Sequence, residues 1–210
     1  MHRLGLPSWG LALVGPLVIV GTVYGLVWST GIARPSLPPG TTPALVPLDF
    51  LIQLGIASVF ALGEEIGFRA YLLPRLLSLG TTRALLLSGL LHGIWHFPLM
   101  LLTPLYPILG TWLIIGPVFL LTLTLAGVFY GYLQLTSESV WPATLAHGAI
   151  NACLNIFLLF TVTDSPVAVE YLATEKGVVM LAATALTAVW LIFRLRQRPS
   201  VPAVQMPASA

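Results

Sequence analysis

Glu64, Glu65, Arg69, His92, His96, His147 and Asn151 carry side chains that can hold charge, move protons or donate strong hydrogen bonds, yet each sits in apolar sequence. Glu65 and Arg69 are four residues apart, as are His92 and His96, and His147 and Asn151, so each pair shares one face of a helix. A carboxylate at the centre of a membrane helix costs about 2.5 to 3.5 kcal/mol on insertion scales, which makes such charges functional candidates by default. The three pairs can project toward one interior site, where the groups satisfy one another instead of facing lipid. A Glu65–Arg69 ion pair cancels one charge and leaves Glu64, rotated by about 100° around the helix, for other work.

Two chemistries could use this set. In one, a carboxylate acts as general base on water, a histidine assists, and His and Asn donors stabilise the oxyanion that develops at a carbonyl. In the other, His96, His147 and a glutamate bind zinc and leave one position open for water. The zinc reading lacks the His-Glu-x-x-His spacing on one helix, although ligands from separate helices would also serve. A plainer reading makes the polar residues a buried network that only fixes helix packing. Packing contacts in membranes are usually made by Ser, Thr, Gly or Asn, and two glutamates with three histidines are a different set.

Other polar and aromatic residues read more simply. Trp112, Trp141 and Trp190 lie near span ends, where aromatic rings anchor at the membrane interface. Trp95 adjoins His96 and is a candidate for lining the site. Cys153 points to another face than Asn151 and reads as core packing, while Asn155 continues the face of His147 and Asn151. Asp49 falls at a helix start, where a carboxylate suits the helix dipole, and His2 reads as a solvated terminal residue.

The elements that must position these groups are membrane spans. The 210 residues are 57% hydrophobic and 8% charged, with a mean hydropathy of +0.95, whereas soluble domains carry about 25% charged residues. Nine basic residues give a formal net charge of +2 and are scattered along the chain, so no basic stripe is available for nucleic acid. One cysteine excludes an internal disulfide and a Cys-rich zinc module.

Apolar stretches bounded by Pro, Gly or charge predict six helices, near residues 10–30, 46–66, 84–103, 108–133, 141–162 and 177–194. The first is read as a retained span and not a cleaved leader. Residues 33–40, with three prolines and a glycine, must be a loop. After the second span, residues 67–82 are expected to run along the membrane interface, with Pro74 allowing a kink or a fresh start. The expected domain is a single integral membrane unit over 1–198, followed by a disordered tail, 199–210. With both termini cytoplasmic, Arg3, Arg75, Arg83, Arg194, Arg196 and Arg198 fall inside and only Arg34 and Lys176 outside, as the positive-inside rule requires. Residues 164–176 then form an external loop. No internal repeat supports a two-fold transporter architecture.

Three motifs resemble those of the CAAX protease and bacteriocin-processing (CPBP, or Abi) family of intramembrane proteases. Glu64-Glu65-Ile66-Gly67-Phe68-Arg69 is similar to its Glu-Glu-x-x-x-Arg signature, and Ala70-Tyr71-Leu72-Leu73-Pro74-Arg75-Leu76 is similar to the stretch that usually succeeds that signature in the family. His92-Gly93-Ile94-Trp95-His96 aligns with Phe-x-x-x-His, and His147-Gly148-Ala149-Ile150-Asn151 with His-x-x-x-Asn. The resemblance covers residues 48–157. It implies an all-α, polytopic fold enclosing a polar cavity open toward the cytoplasm.

By motif, the resemblance implies Glu64 as the water-activating base, His96 as its helper in holding water, and His147 with Asn151 as the oxyanion site. Glu65 and Arg69 look like partners that shape the site. His92 stands where the family usually has Phe, which leaves two readings: a further participating histidine, or one that packs and hydrogen-bonds. The favoured chemistry needs no cofactor. Zinc on Glu64, His96 and His147 is the alternative. The implied partners are a peptide or protein substrate, with a prenylated C-terminus as one option, and the lipid bilayer of a cell membrane. Two other function classes stay open: a non-enzymatic bacteriocin self-immunity or scaffold protein of the same fold, and a small transporter using the glutamates as proton relays.

Overall fold

The computed structural model describes residues 4–104 and 106–197. The expected tail at 199–210, and the terminal Arg3 and Arg198 of the orientation argument, lie outside the described residues. The chain is helical almost throughout. Its main elements are α1 (Trp9–Ser29), α2 (Val46–Glu65), α3 (Leu73–Leu76), α4 (Thr81–Leu102), α5 (Trp112–Ser137), α6 (Val140–Leu159), α7 (Pro166–Leu172) and α8 (Val178–Arg196). Six helical runs among the described residues are long and apolar enough to cross a membrane, and they coincide with the six expected spans. The fourth expected span, 108–133, is the helix Trp112–Ser137, displaced because residues before Trp112 are held in a loop.

Small residues let the helices approach. On α6, Ala143, Ala146, Gly148, Ala149 and Ala152 are buried, and the helix packs against α1, α2 and α5. A Cβ on Gly148 would come within 2.2 Å of Ser58 Oγ on α2, so only glycine allows this crossing. The α4–α5 crossing is tighter still. A Cβ on Gly89 would lie 2.3 Å from the Thr124 carbonyl oxygen, and one on Gly127 would lie 2.6 Å from Gly89 Cα. On its far side α5 packs against α8. By contrast α2 turns Leu51, Ile52, Ile56, Val59 and Phe60 outward, the apolar face expected toward lipid.

Two connections carry structure of their own. Residues 67–79 extend the helical run of the second span: α2 runs into a π turn at Ile66–Leu72, then α3, then a 3-10 turn at Leu77–Leu79. Pro74 lies in the first turn of α3, where its missing N–H is tolerated, and Gly80, at φ +91°, makes the reversal into α4. The expected loop 164–176 contains α7, begun by Pro166, and buries two of its charges. Glu170 Oε1 pairs with Lys176 Nζ at 2.8 Å. Glu170 Oε2 accepts from the N–H groups of Leu109 and Gly110 at 2.9 and 2.8 Å, and Lys176 Nζ donates to the Pro107 carbonyl at 2.6 Å. A two-residue antiparallel ladder, β1 (Arg34–Pro35) with β2 (Thr161–Val162), ties the α1–α2 connection to the end of α6.

Candidate active site

The last turn of α2 delivers Glu64 and Glu65, and the π turn delivers Arg69. A π turn hydrogen-bonds i to i+5 and disturbs the carbonyl ladder, and here the Phe68 carbonyl accepts from Ser88 Oγ on α4 at 3.0 Å. The wide turn is thereby fastened to the helix that carries His92 and His96.

Glu65 is the hub on the buried side. Its Oε1 accepts from Arg69 Nη1 at 3.1 Å and from His147 Nδ1 at 2.9 Å, with both Glu65 and Arg69 fully buried. Tyr130 on α5 stacks on the His147 ring at 5.0 Å and 14°, and the Arg69 guanidinium carbon lies 5.1 Å from the Tyr130 ring centroid. The ring gives the cation an electron-rich face where Arg69 Nε and Nη2 have no hydrogen-bond partner. Gly127 makes room for the guanidinium, since a Cβ there would lie 3.0 Å from Arg69 Nη2.

Glu64 is the accessible acid, with a side chain 20% exposed. Its Oε2 lies 2.7 Å from His92 Nε2 and 4.0 Å from His96 Nε2. His92 Nδ1 is 3.0 Å from Arg69 Nη1, and its ring packs on Phe68 at 4.6 Å. His96 Nδ1 donates to the His92 carbonyl at 3.0 Å, so the neutral ring presents a lone pair at Nε2 toward Glu64. Around His96 stand Trp95, Tyr106 and Phe119, each edge-on at 5.0 to 5.8 Å. Trp95 is itself 47% exposed.

The fold therefore gathers Glu64, Glu65, Arg69, His96 and His147, and adds His92. Asn151 lies one turn beyond His147 on α6, exposed, with no hydrogen bond to the other five among the described residues. Asn155 is exposed one turn further on, while Cys153 is buried in the core with Val20, Val23 and Tyr24. Sequence reasoning missed Tyr130, Ser88 and Tyr106. Tyr130 left only a faint signal, as one of two tyrosines in the glycine-interrupted run Gly127-Val128-Phe129-Tyr130-Gly131-Tyr132.

Metal-capable atoms of Glu64, His92 and His147 lie within 4.8 Å of one another. This differs from the expected zinc set, in which His96 took the place of His92. His92 does not suit a metal as it stands. Arg69 has only donors, so a neutral His92 bonded to it through Nδ1 has its lone pair there and its proton at Nε2. Nε2 then has no lone pair for a cation unless Arg69 lets go, and the guanidinium adds a positive charge beside the would-be ion.

Six apolar helices around an interior cluster of carboxylates, histidines and one arginine define an integral multi-pass membrane protein with a buried polar centre. The family model described as type II CAAX prenyl endopeptidase Rce1-like matches residues 46–153, just over half of the chain, from the first turn of α2 into α6. The chain belongs to this family of CAAX-protease-type intramembrane endopeptidases. No curated protein and no solved structure matches it.

Proposed function

We propose that this protein is an intramembrane peptidase that hydrolyses a peptide bond with a glutamate-activated water and no metal. The observation that carries the reading is the pairing of Glu64, the partly exposed carboxylate of the cluster, with a histidine lone pair 4.0 Å away. A water between Glu64 Oε2 and His96 Nε2 can donate one proton to each and keep an oxygen lone pair free for attack. Glu64 takes a proton as the water oxygen bonds to the substrate carbonyl carbon.

The oxyanion so formed needs donors. Asn151 offers an uncommitted carboxamide N–H on the same face as His147. As a neutral ring donating Nδ1–H to Glu65, His147 has a lone pair at Nε2, so it serves the oxyanion or the leaving amine only when doubly protonated. Glu65 supports that form, as a carboxylate supports the imidazolium of a catalytic dyad. Hydrolysis is completed when the proton taken from water reaches the departing amine.

The metal-free reading is supported by the donor chemistry of His92 and by the cation beside it. Peptide or protein substrates are supported by the family description, and a prenylated C-terminus by its wording. The arginines at 75, 83, 194 and 196 against Arg34 and Lys176 support an orientation with both termini cytoplasmic.

The test is cleavage of membrane-tethered and prenylated peptides by purified protein and by folded Glu64→Gln, each with and without chelator. Cleavage by wild type, resistant to chelator and lost in Glu64→Gln, is the expected result. Cleavage that survives Glu64→Gln overturns the mechanism, and cleavage abolished by chelator and restored by zinc overturns the metal-free part. No cleavage of any peptide by folded wild type would favour a non-enzymatic role.

A further inference from the structure

His92 touches both halves of the cluster. Nδ1 is 3.0 Å from Arg69 Nη1 and Nε2 is 2.7 Å from Glu64 Oε2, with the residue 2% exposed. Each end of the ring meets a group of fixed hydrogen-bonding sense. Arg69 can only donate, and an ionised carboxylate can only accept. A neutral His92 therefore has its lone pair at Nδ1 and its proton at Nε2. A doubly protonated ring would set an N–H against the guanidinium. A flipped ring would set carbon where each nitrogen now stands and lose both hydrogen bonds.

We propose that His92 is a positioning residue: Arg69 locks it in the Nε2–H form, and in that form it holds the Glu64 carboxylate toward His96. His92 is thereby neither base nor metal ligand, because its one lone pair is already committed to Arg69. The neighbouring histidines have the opposite tautomer. His96 donates Nδ1–H to the His92 carbonyl, and His147 donates Nδ1–H to Glu65. One residue, Arg69, thus serves both acids, directly at Glu65 Oε1 and through His92 at Glu64 Oε2. The hydrogen-bond lock stands on geometry alone, and its catalytic consequence rests on the peptidase reading.

Two variants separate its parts. His92→Phe keeps a ring to pack on Phe68 but has neither donor nor acceptor. His92→Gln has both, an oxygen for Arg69 and an N–H for Glu64. With a peptide that wild type cleaves, His92→Phe should lower kcat roughly 10²-fold, the scale of loss from about 1 Å of misplacement, with KM little changed. His92→Gln should recover most of it. Thermal unfolding in detergent checks that both variants are folded.

The independent readout is nitrogen NMR of histidine-labelled protein in detergent micelles, with signals assigned from the variants. His92 should give the Nε2–H tautomer, while His96 gives Nδ1–H and His147 keeps a proton on Nδ1. An Nδ1–H or doubly protonated His92 overturns the lock. Wild-type kcat in folded His92→Phe, or no recovery in folded His92→Gln, overturns the positioning role. If wild type cleaves no peptide the peptidase reading falls, and the tautomer of His92 still decides the lock.

Discussion

Arg69 Nη1 and His147 Nδ1 converge on the same atom, Glu65 Oε1, at 3.1 and 2.9 Å. One fully buried oxygen therefore joins the π turn after α2 to the middle of α6. This places Glu65 in the structural frame and frees Glu64 for chemistry.

Arg69→Met should be among the most damaging single changes in the protein. It leaves buried Glu65 with His147 as its remaining partner, and removing one partner of a buried ion pair costs about 3 to 5 kcal/mol. Thermal unfolding in a fixed detergent should fall sharply, and far more than for Glu64→Gln.

Glu64→Gln should separate stability from turnover. Glu64 is partly exposed, and a glutamine can still accept from His92, so unfolding should shift by no more than about 1 kcal/mol. Cleavage should fall by roughly 10² to 10⁴-fold, the range for loss of a general base.

Asn151→Ala should leave folding unchanged within about 0.5 kcal/mol, because the side chain is exposed and unbonded in the described structure. Loss of one oxyanion donor should lower kcat by about 10² to 10³-fold. An unchanged kcat in this variant would remove Asn151 from the proposed mechanism.

Gly89→Ala adds one methyl group where α4 meets the backbone of α5, 2.3 Å from the Thr124 carbonyl oxygen. Backbone cannot yield as a side chain can, so the cost should reach the upper part of the roughly 1 to 3 kcal/mol range for overpacking. Gly10→Ala is the matched control, having nothing within 4 Å, and should be neutral or stabilising by up to about 1 kcal/mol. Unfolding of the two variants side by side measures the difference.

Lys176→Met should loosen the connection between α4 and α5 without touching the acids. Glu170 keeps two backbone donors but loses its only cation, and the Pro107 carbonyl loses its donor. Limited proteolysis should cut the 103–111 segment faster than in wild type.

The spans were legible because apolar length alone specifies a membrane helix, and the site residues because charges are scarce there. Glu64, Glu65, Arg69, His96 and His147 could be read together from helical spacing and motif. The rest depends on which helices cross. Tyr130 was hidden because an aromatic residue in an apolar span is ordinary, and only the approach of α5 to the π turn sets it between Arg69 and His147. Gly89 and Gly127 are two glycines among 19, and their meeting is a property of two helices at once. Glu170 and Lys176 read as loop charges because burial cannot be seen in a six-residue spacing. Spacing and composition do not choose between packing and participation for His92, because its two neighbours of opposite charge, Arg69 and Glu64, come from another element.

The π turn at Ile66–Leu72 amounts to a helix that has admitted one surplus residue. Removing that residue would restore an ordinary helix, and α3 and α4 could keep their places, because the surplus is absorbed locally. What would change is the seat of Arg69 above Glu65 and the carbonyl that Ser88 holds. The irregularity thus serves the centre, and the stability it lends comes through the Glu65–Arg69 pair it seats. A protein shortened by a single amino acid at Gly67 should still insert, and should be destabilised about as far as Arg69→Met, with the same helices around a dismantled centre.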